Sequence, residues 1–313
     1  MTIFFALIIV CFIFSVKITR EFNISYLDKN NANVVKGVFL LLVFLSHIAG
    51  YYKFDNSLDQ QYFLIRSVMG QTVVVAFLFF SGYGVMESIT NRSNYMSNFL
   101  SNRVLKLLIN FDIAVTLFLI TQYILGRHIS FKQYALALTT WGGIGNSNWY
   151  ITCIVFCYLF SYICARVTGK KLDKAAFLIL MCSLCLNYML VLSKYRPWYC
   201  FDTILCYPLG MMFSVYKEKI IDCLKNNTNY AIALGGGMVI CIVSCLLSKS
   251  LIYRVIYEIS FCLVIVLAMM HMKLKNSFLE YVGVNLFGLY ILQRIPMMYF
   301  KQIVFLITNI SMC

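Results

Sequence analysis

VVKGVFLLLVFLSHIAGYY, residues 34–52, is the stretch on which the reading of this chain turns. Nineteen residues carry one cation near their start, Lys36, and one titratable group deep in the apolar run, His47. The pattern predicts a membrane-spanning helix that begins near Lys36 and ends at Tyr52. Lys36 and His47 are eleven positions apart. At about 100° per residue they share one face, and at ~1.5 Å rise they lie ~16 Å apart along the axis. The hydrocarbon core is about 30 Å thick, which predicts a histidine near mid-bilayer. A titratable group at that depth marks a functional site by default.

The surrounding composition agrees with a membrane setting. Of 313 residues, 61% are hydrophobic and 12% charged, and the mean hydropathy is +0.81. That leaves too little polar surface for a soluble globular protein. The predicted fold class is all-α, a polytopic transmembrane helix bundle of about ten spans. The net charge of +14 is read as cations gathered at the cytoplasmic ends of helices, not as a nucleic-acid surface. The thirteen cysteines fall largely inside apolar helices, where cysteine behaves as a small buried hydrophobe. Neither a structural disulfide nor a metal site is expected from them.

Working outward, residues 2–16 form a short apolar segment read as a retained helix, since a signal peptide needs a basic start and a small-residue cleavage site. Further spans are expected at 68–88, 105–125, 149–165, 175–192, 204–216, 230–247, 252–270 and 284–307. Residues 1–33 are read as an extra N-terminal helix and linker, and 34–313 as the membrane domain proper. Sixteen Lys and Arg fall in the odd-numbered connections and eight in the even-numbered ones. That bias places the odd connections in the cytoplasm, with Lys36 at the cytoplasmic mouth of its helix.

The order of short motifs resembles the integral-membrane acyltransferase type 3 family. NVVKGVFLLLVFLSH holds a Lys, ten residues and a His, as the opening helix of that family does. Phe79–Gly84 (FFSGYG) is similar to its F-x-S-G-F pattern. Arg103 and Lys106 stand in the places of its basic R-x-x-R segment. Asn148-Trp149-Tyr150 resembles the start of its W-[FY]-[LI] helix, and residues 278–290 resemble its closing helix. Two positions depart: Asn110 stands where the family has a proline, and Gln293, followed by Arg294, stands where it has a histidine.

The resemblance implies an integral-membrane O-acyltransferase that moves an acyl group, usually acetyl from acetyl-CoA, to a hydroxyl of a bacterial cell-surface or secreted polysaccharide. Its implied setting is the bacterial plasma membrane. Its partners are acyl-CoA, a carbohydrate acceptor and membrane lipids, with no nucleic acid and no metal. His47 is then a general base, because a low dielectric favours neutral imidazole. The alternative is a histidine that bonds a neighbouring helix. Lys36 is a cation for CoA phosphate or developing oxyanion charge, or else an interfacial anchor. Arg103 and Lys106 carry the same two readings. Trp149 and Tyr83 are the candidate substrate-binding aromatics, with belt and packing roles as their alternatives. Asp112 and Glu258 lie inside spans and need partners; one of them could orient His47. A transporter, flippase or polymerase of lipid-linked glycans is the competing class. Three unevenly placed prolines, Pro197, Pro208 and Pro296, fit poorly with the broken repeats which that class uses.

Overall fold

The computed structural model describes residues 1–51, 56–169 and 173–310, the side chains of 305–310 excepted. Tyr52, Lys53, Asp55, Lys170 and Lys171 lie outside the described residues. The chain runs as helices between two ends, named here after residues of its second helix: the Lys29 end and the His47 end.

Helix α1 (Thr2–Ser15) starts at the His47 end, where Thr2 N donates to Asp59 Oδ1 at 3.2 Å. It leads into β1 (Val16–Ile18) at the Lys29 end. Helix α2 (Lys29–Ile48) returns to the His47 end, which α3 (Ser57–Met69) covers. Helix α4 (Thr72–Asn91) goes back, and α5 (Lys106–Ile124) returns, entered through a π turn at Leu100–Leu105. The short α6 (Phe131–Leu138) precedes α7 (Trp149–Thr168), and α8 (Lys174–Leu192) follows. Two 3₁₀ turns, Trp198–Cys200 and Asp202–Leu205, lead into α9 (Cys206–Val215), then α10 (Lys217–Leu224), α11 (Asn227–Leu246) and α12 (Leu251–Met269). Strand β2 (Met272–Leu274) pairs antiparallel with β1, Val16 facing Leu274. The closing segment is broken into α13 (Ser277–Val284), α14 (Leu286–Leu292) and α15 (Arg294–Ile310).

Among the described residues, seven helices are long and apolar enough to cross a bilayer: α2, α4, α5 with its π turn, α7, α8, α11 and α12. Helix α1, the segment ending in α9 and the broken α13–α15 run between the same two ends as shorter or interrupted pieces. Together they make the expected all-α polytopic bundle, because helices satisfy their own backbone groups where no water is present. Two-thirds (67%) of the apolar windows of α2 and α4 are buried, against 6% for α11. The first two therefore form the centre, and α11 is an outer, lipid-facing helix.

The opening helix sits earlier in the sequence than the apolar run suggests. It starts at Lys29, not near Lys36, because Asp28 caps it by accepting from Asn31 N at 2.7 Å. Asn31 makes the polar first turn tolerable: its amide donates to Ser25 O (2.9 Å) and its Oδ1 accepts from Leu274 N (3.1 Å). The helix ends at Ile48, where Gly50 N turns back onto His47 O at 2.9 Å. His47 therefore stands in the last turn, about 27 Å along the axis from Lys29, and not near the middle of its helix.

Small residues set how closely the central helices pack. A Cβ on Gly82 would run into the Tyr207 carbonyl, and one on Gly210 into the Phe79 carbonyl, so α4 and α9 meet backbone to backbone. Gly37 and Gly283 do the same for α2 and α13, against Leu279 and Asn33. Close approach of this kind supplies the van der Waals contact that holds helices together in lipid, where hydrophobic burial drives little.

Candidate active site

Six parts of the chain converge on a cavity of about 320 Å³ at the His47 end. Helix α2 supplies Val43, Ser46 and His47; α3 and the turn after it supply Arg66, Gly70 and Gln71. Val73 and Val74 of α4 form one wall. The loop 139–148 and the start of α7 bring Asn146, Ser147, Asn148 and Trp149, and Tyr199 enters from the first 3₁₀ turn. Tyr290 and Arg294 arrive from the closing helices.

The polar chemistry of this cavity is concentrated and unspent. Buried side-chain atoms without a hydrogen-bond partner among the described residues include His47 Nδ1, Asn146 Nδ2 and Arg294 Nε, while the Ser147 and Tyr290 hydroxyls have only each other. All of these belong to residues lining the cavity. A buried unsatisfied group costs about 1–3 kcal/mol, so three in one place is a clear departure from ordinary packing. The two guanidiniums are held by single bonds: Arg66 Nε to Ser46 Oγ at 3.1 Å, and Arg294 Nη1 to Gly145 O at 3.4 Å. No carboxylate lines the cavity among the described residues. The site is therefore cationic and rich in donors, suited to an anionic group or to negative charge that develops on oxygen.

Aromatic rings frame the imidazole. The His47 and Tyr290 rings lie 6.3 Å apart, Tyr150 packs on Tyr290 at 5.4 Å, and Trp149 meets Tyr199 at 6.3 Å.

A family model described as an acyltransferase domain matches residues 29–312. The chain belongs to the type 3 membrane acyltransferases. The matched stretch begins at the first residue of α2. Neither the curated proteins nor the solved structures compared give a match. The protein is thus a multi-pass membrane acyltransferase, and its site residues can be sorted on that footing.

Of the side chains singled out in the acyltransferase sequence, the structure brings His47 and Trp149 into one cavity. Lys36 shares the face of α2 with His47 but lies ~16 Å away along the axis, outside the cavity lining. It is half-buried and makes no ion pair among the described residues. Arg103 sits in the π turn, donating from Nε to the Tyr95 hydroxyl at 3.0 Å, and Lys106 is exposed. Tyr83 is half-buried against the core near α9 and does not line the cavity.

Neither carboxylate expected to orient the histidine reaches it. Asp112 Oδ1 is buried without a partner on α5. Glu258, 2% exposed, shares a side-chain hydrogen bond with Asp202 (1%), with Arg254 Nε and Thr203 Oγ1 unpartnered nearby. That cluster lies behind the first 3₁₀ turn, where Arg254 stacks on Trp198 at 4.4 Å.

Sequence reasoning missed Arg66, Asn146, Tyr290 and Arg294 as members of the site. Arg294 carried a readable signal: it is one of two cations, with Lys301, in the last apolar span. Gln293 stands where the resemblance places a histidine, but its amide folds back onto Tyr290 O at 2.9 Å, and the residue after it lines the cavity. The membership of Arg66 and Asn146 depends on loop packing, which no periodicity reports.

Proposed function

We propose that the protein is an O-acyltransferase that moves an acyl group, acetyl by the family pattern, from acyl-CoA to a hydroxyl of a cell-surface or secreted polysaccharide in the bacterial plasma membrane. The observation that carries this reading is the placement of His47 in a cationic cavity framed by Trp149, Tyr199 and Tyr290. A neutral imidazole takes the proton of the acceptor hydroxyl as its oxygen bonds to the thioester carbonyl carbon. Negative charge then collects on the carbonyl oxygen, where Arg294 and the Asn146 amide are donors without full partners. The carbon–sulfur bond breaks, and the departing thiolate takes the proton from the imidazolium. Trp149 and Tyr199 offer faces for a sugar ring.

The cations at the other end serve the donor in this reading. Lys36 is assigned to the CoA phosphates, with Arg103 and Lys106 adding positive potential at the Lys29 end. The charge bias of the connections puts that end in the cytoplasm, where acyl-CoA is made. The His47 end then faces the surface on which the polysaccharide is displayed.

The test is the ester content of surface glycan, by mass spectrometry, in cells carrying the wild type or His47→Gln at equal membrane abundance. Loss of the ester with polymer intact supports transfer. Unchanged ester, or loss of the polymer itself, overturns it.

A further inference from the structure

A second feature lies against the same helices. A groove of about 780 Å³ runs between α2 and α13–α15, lined by Leu40, Leu41 and Phe44 on one side and Gly288, Leu289 and Leu292 on the other. It opens outward, since Phe44, Val284 and Leu289 on its walls are exposed at the surface that lipid covers. On α2, Phe44 faces the groove, and His47, one turn on, faces the cavity. On the closing helices, Leu289 and Gln293 face the groove, and Tyr290 and Arg294 face the cavity. One seam, between α2 and α14–α15, divides a largely apolar groove, open at the protein's outer face, from the cationic cavity. The His47 and Tyr290 rings, 6.3 Å apart, straddle it.

We infer that the acceptor reaches His47 from within the membrane, as a sugar carried on a long-chain lipid phosphate or diphosphate. This deepens the acyl-transfer reading and rests on it. The apolar chain occupies the α2–α14 groove, and the phosphate meets Arg294, with Arg66 across the cavity. The attached sugar is held at His47 and Trp149. Charge complementarity selects a phosphate lipid over a neutral one: among the described residues, two guanidiniums and no carboxylate line the cavity. Adjacency to the site, with Leu289 and Gln293 of the groove next in sequence to Tyr290 and Arg294 of the cavity, distinguishes this groove from the wholly apolar pocket between α1, α2 and α12. That pocket is lined by residues such as Phe12, Val38 and Met269, and it reaches no charged group.

The experiment uses the purified full chain in phosphatidylcholine nanodiscs, with geranylgeranyl phosphate as probe and geranylgeraniol and inorganic phosphate as comparators. Saturable binding of the lipid phosphate is expected, at least tenfold tighter than of the alcohol, with no competition from millimolar inorganic phosphate. Gly288→Phe fills the groove at a position where a Cβ has nothing within 4 Å. It and Arg294→Gln should each weaken probe binding at least tenfold. Leu41→Trp is the second groove variant, and thermal unfolding confirms that each variant is folded. Equal binding of the alcohol, full competition by inorganic phosphate, or wild-type binding by both folded groove variants overturns the inference. His47→Gln separates the two readings: it should lose transfer and keep probe binding. If it transfers at the wild-type rate, acyl transfer at this site fails whatever the probe does. If it loses transfer while the groove variants bind normally, only the lipid-borne acceptor falls.

Discussion

The two ends of the bundle treat their conspicuous cations in opposite ways, although the Lys29 end holds about twice as many. Toward the Lys29 end the chain pairs most of its polar groups with its own, the buried Tyr26 hydroxyl being an exception. Arg103 bonds the Tyr95 hydroxyl, Tyr158 and Ser81 pair at 3.0 Å, Ser161 and Tyr207 pair at 3.0 Å, and a two-stranded ribbon closes over the ends of α1 and α12. At the His47 end, among the described residues, Arg66 and Arg294 each keep one bond, and His47 Nδ1, Asn146 Nδ2 and Arg294 Nε keep none. Folding alone rewards the first arrangement and penalises the second. The difference teaches that the second end is shaped for something other than its own stability, which supports the proposal that the chemistry takes place there.

The largest effect should come from the imidazole. His47→Gln keeps size and polarity and removes the base, so the acyl-transfer rate in purified enzyme should fall about 10²–10⁴-fold. The thermal midpoint should hold, because Nδ1 has no partner to lose. A variant that retains a tenth of the activity would remove His47 from the proton-transfer step.

Arg294→Gln is next and tests the contrast directly. Loss of a charge-assisted hydrogen bond worth about 1.5–3 kcal/mol should lower kcat/KM about 10–100-fold. Arg103→Gln should lower it less than threefold, because that guanidinium is occupied by Tyr95. Equal losses would mean that the two ends do not differ in the way their hydrogen bonding implies. Lys36→Gln should act on the donor alone, raising the KM for acyl-CoA about 5–10-fold with kcat within twofold, as expected for one lost charge contact to phosphate. A fall in kcat with unchanged KM would place Lys36 in the chemical step instead.

The legible part of this molecule follows its physics. Apolar runs some twenty residues long announce spans, and α7 and α8 start within a residue of where their hydropathy begins. His47 was visible because an ionisable group in an apolar run is costly, and Trp149 because it opens a helix after a polar loop. The start of α2 was not visible: Asn31 looks too polar for a spanning helix until β2 supplies its partner, some 240 residues away in sequence. For the same reason the place of His47 in the last turn of its helix was not legible. The closing span, 284–307, reads as one apolar run but folds as two helices, α14 and α15, with Tyr290 and Arg294 lining the cavity and Gln293 the groove. Site membership of Arg66 and Asn146 is a property of loop packing, and alternation in sequence carries no trace of it.

The smallest effect concerns what keeps the two ends at a fixed separation, and it can be read within one motif. Ser81-Gly82-Tyr83-Gly84 holds two glycines two residues apart, on opposite faces of α4. A Cβ at Gly82 strikes the Tyr207 carbonyl, whereas at Gly84 it meets nothing within 4 Å. Gly82→Ala must push α9 away from α4, an overpacking cost of about 1–3 kcal/mol. In a chain of this size that lowers the thermal midpoint by a few degrees, at roughly 2–4 °C per kcal/mol. Gly84→Ala should be neutral or raise the midpoint slightly, since alanine is the better helix former by about 0.5–1 kcal/mol. Because α4 also carries Val73 and Val74 into the cavity, Gly82→Ala should cost activity in proportion to its stability, and Gly84→Ala should cost none. If both substitutions lower the midpoint equally, the α4–α9 contact is not the tight seam described, and the wall of the cavity does not depend on it.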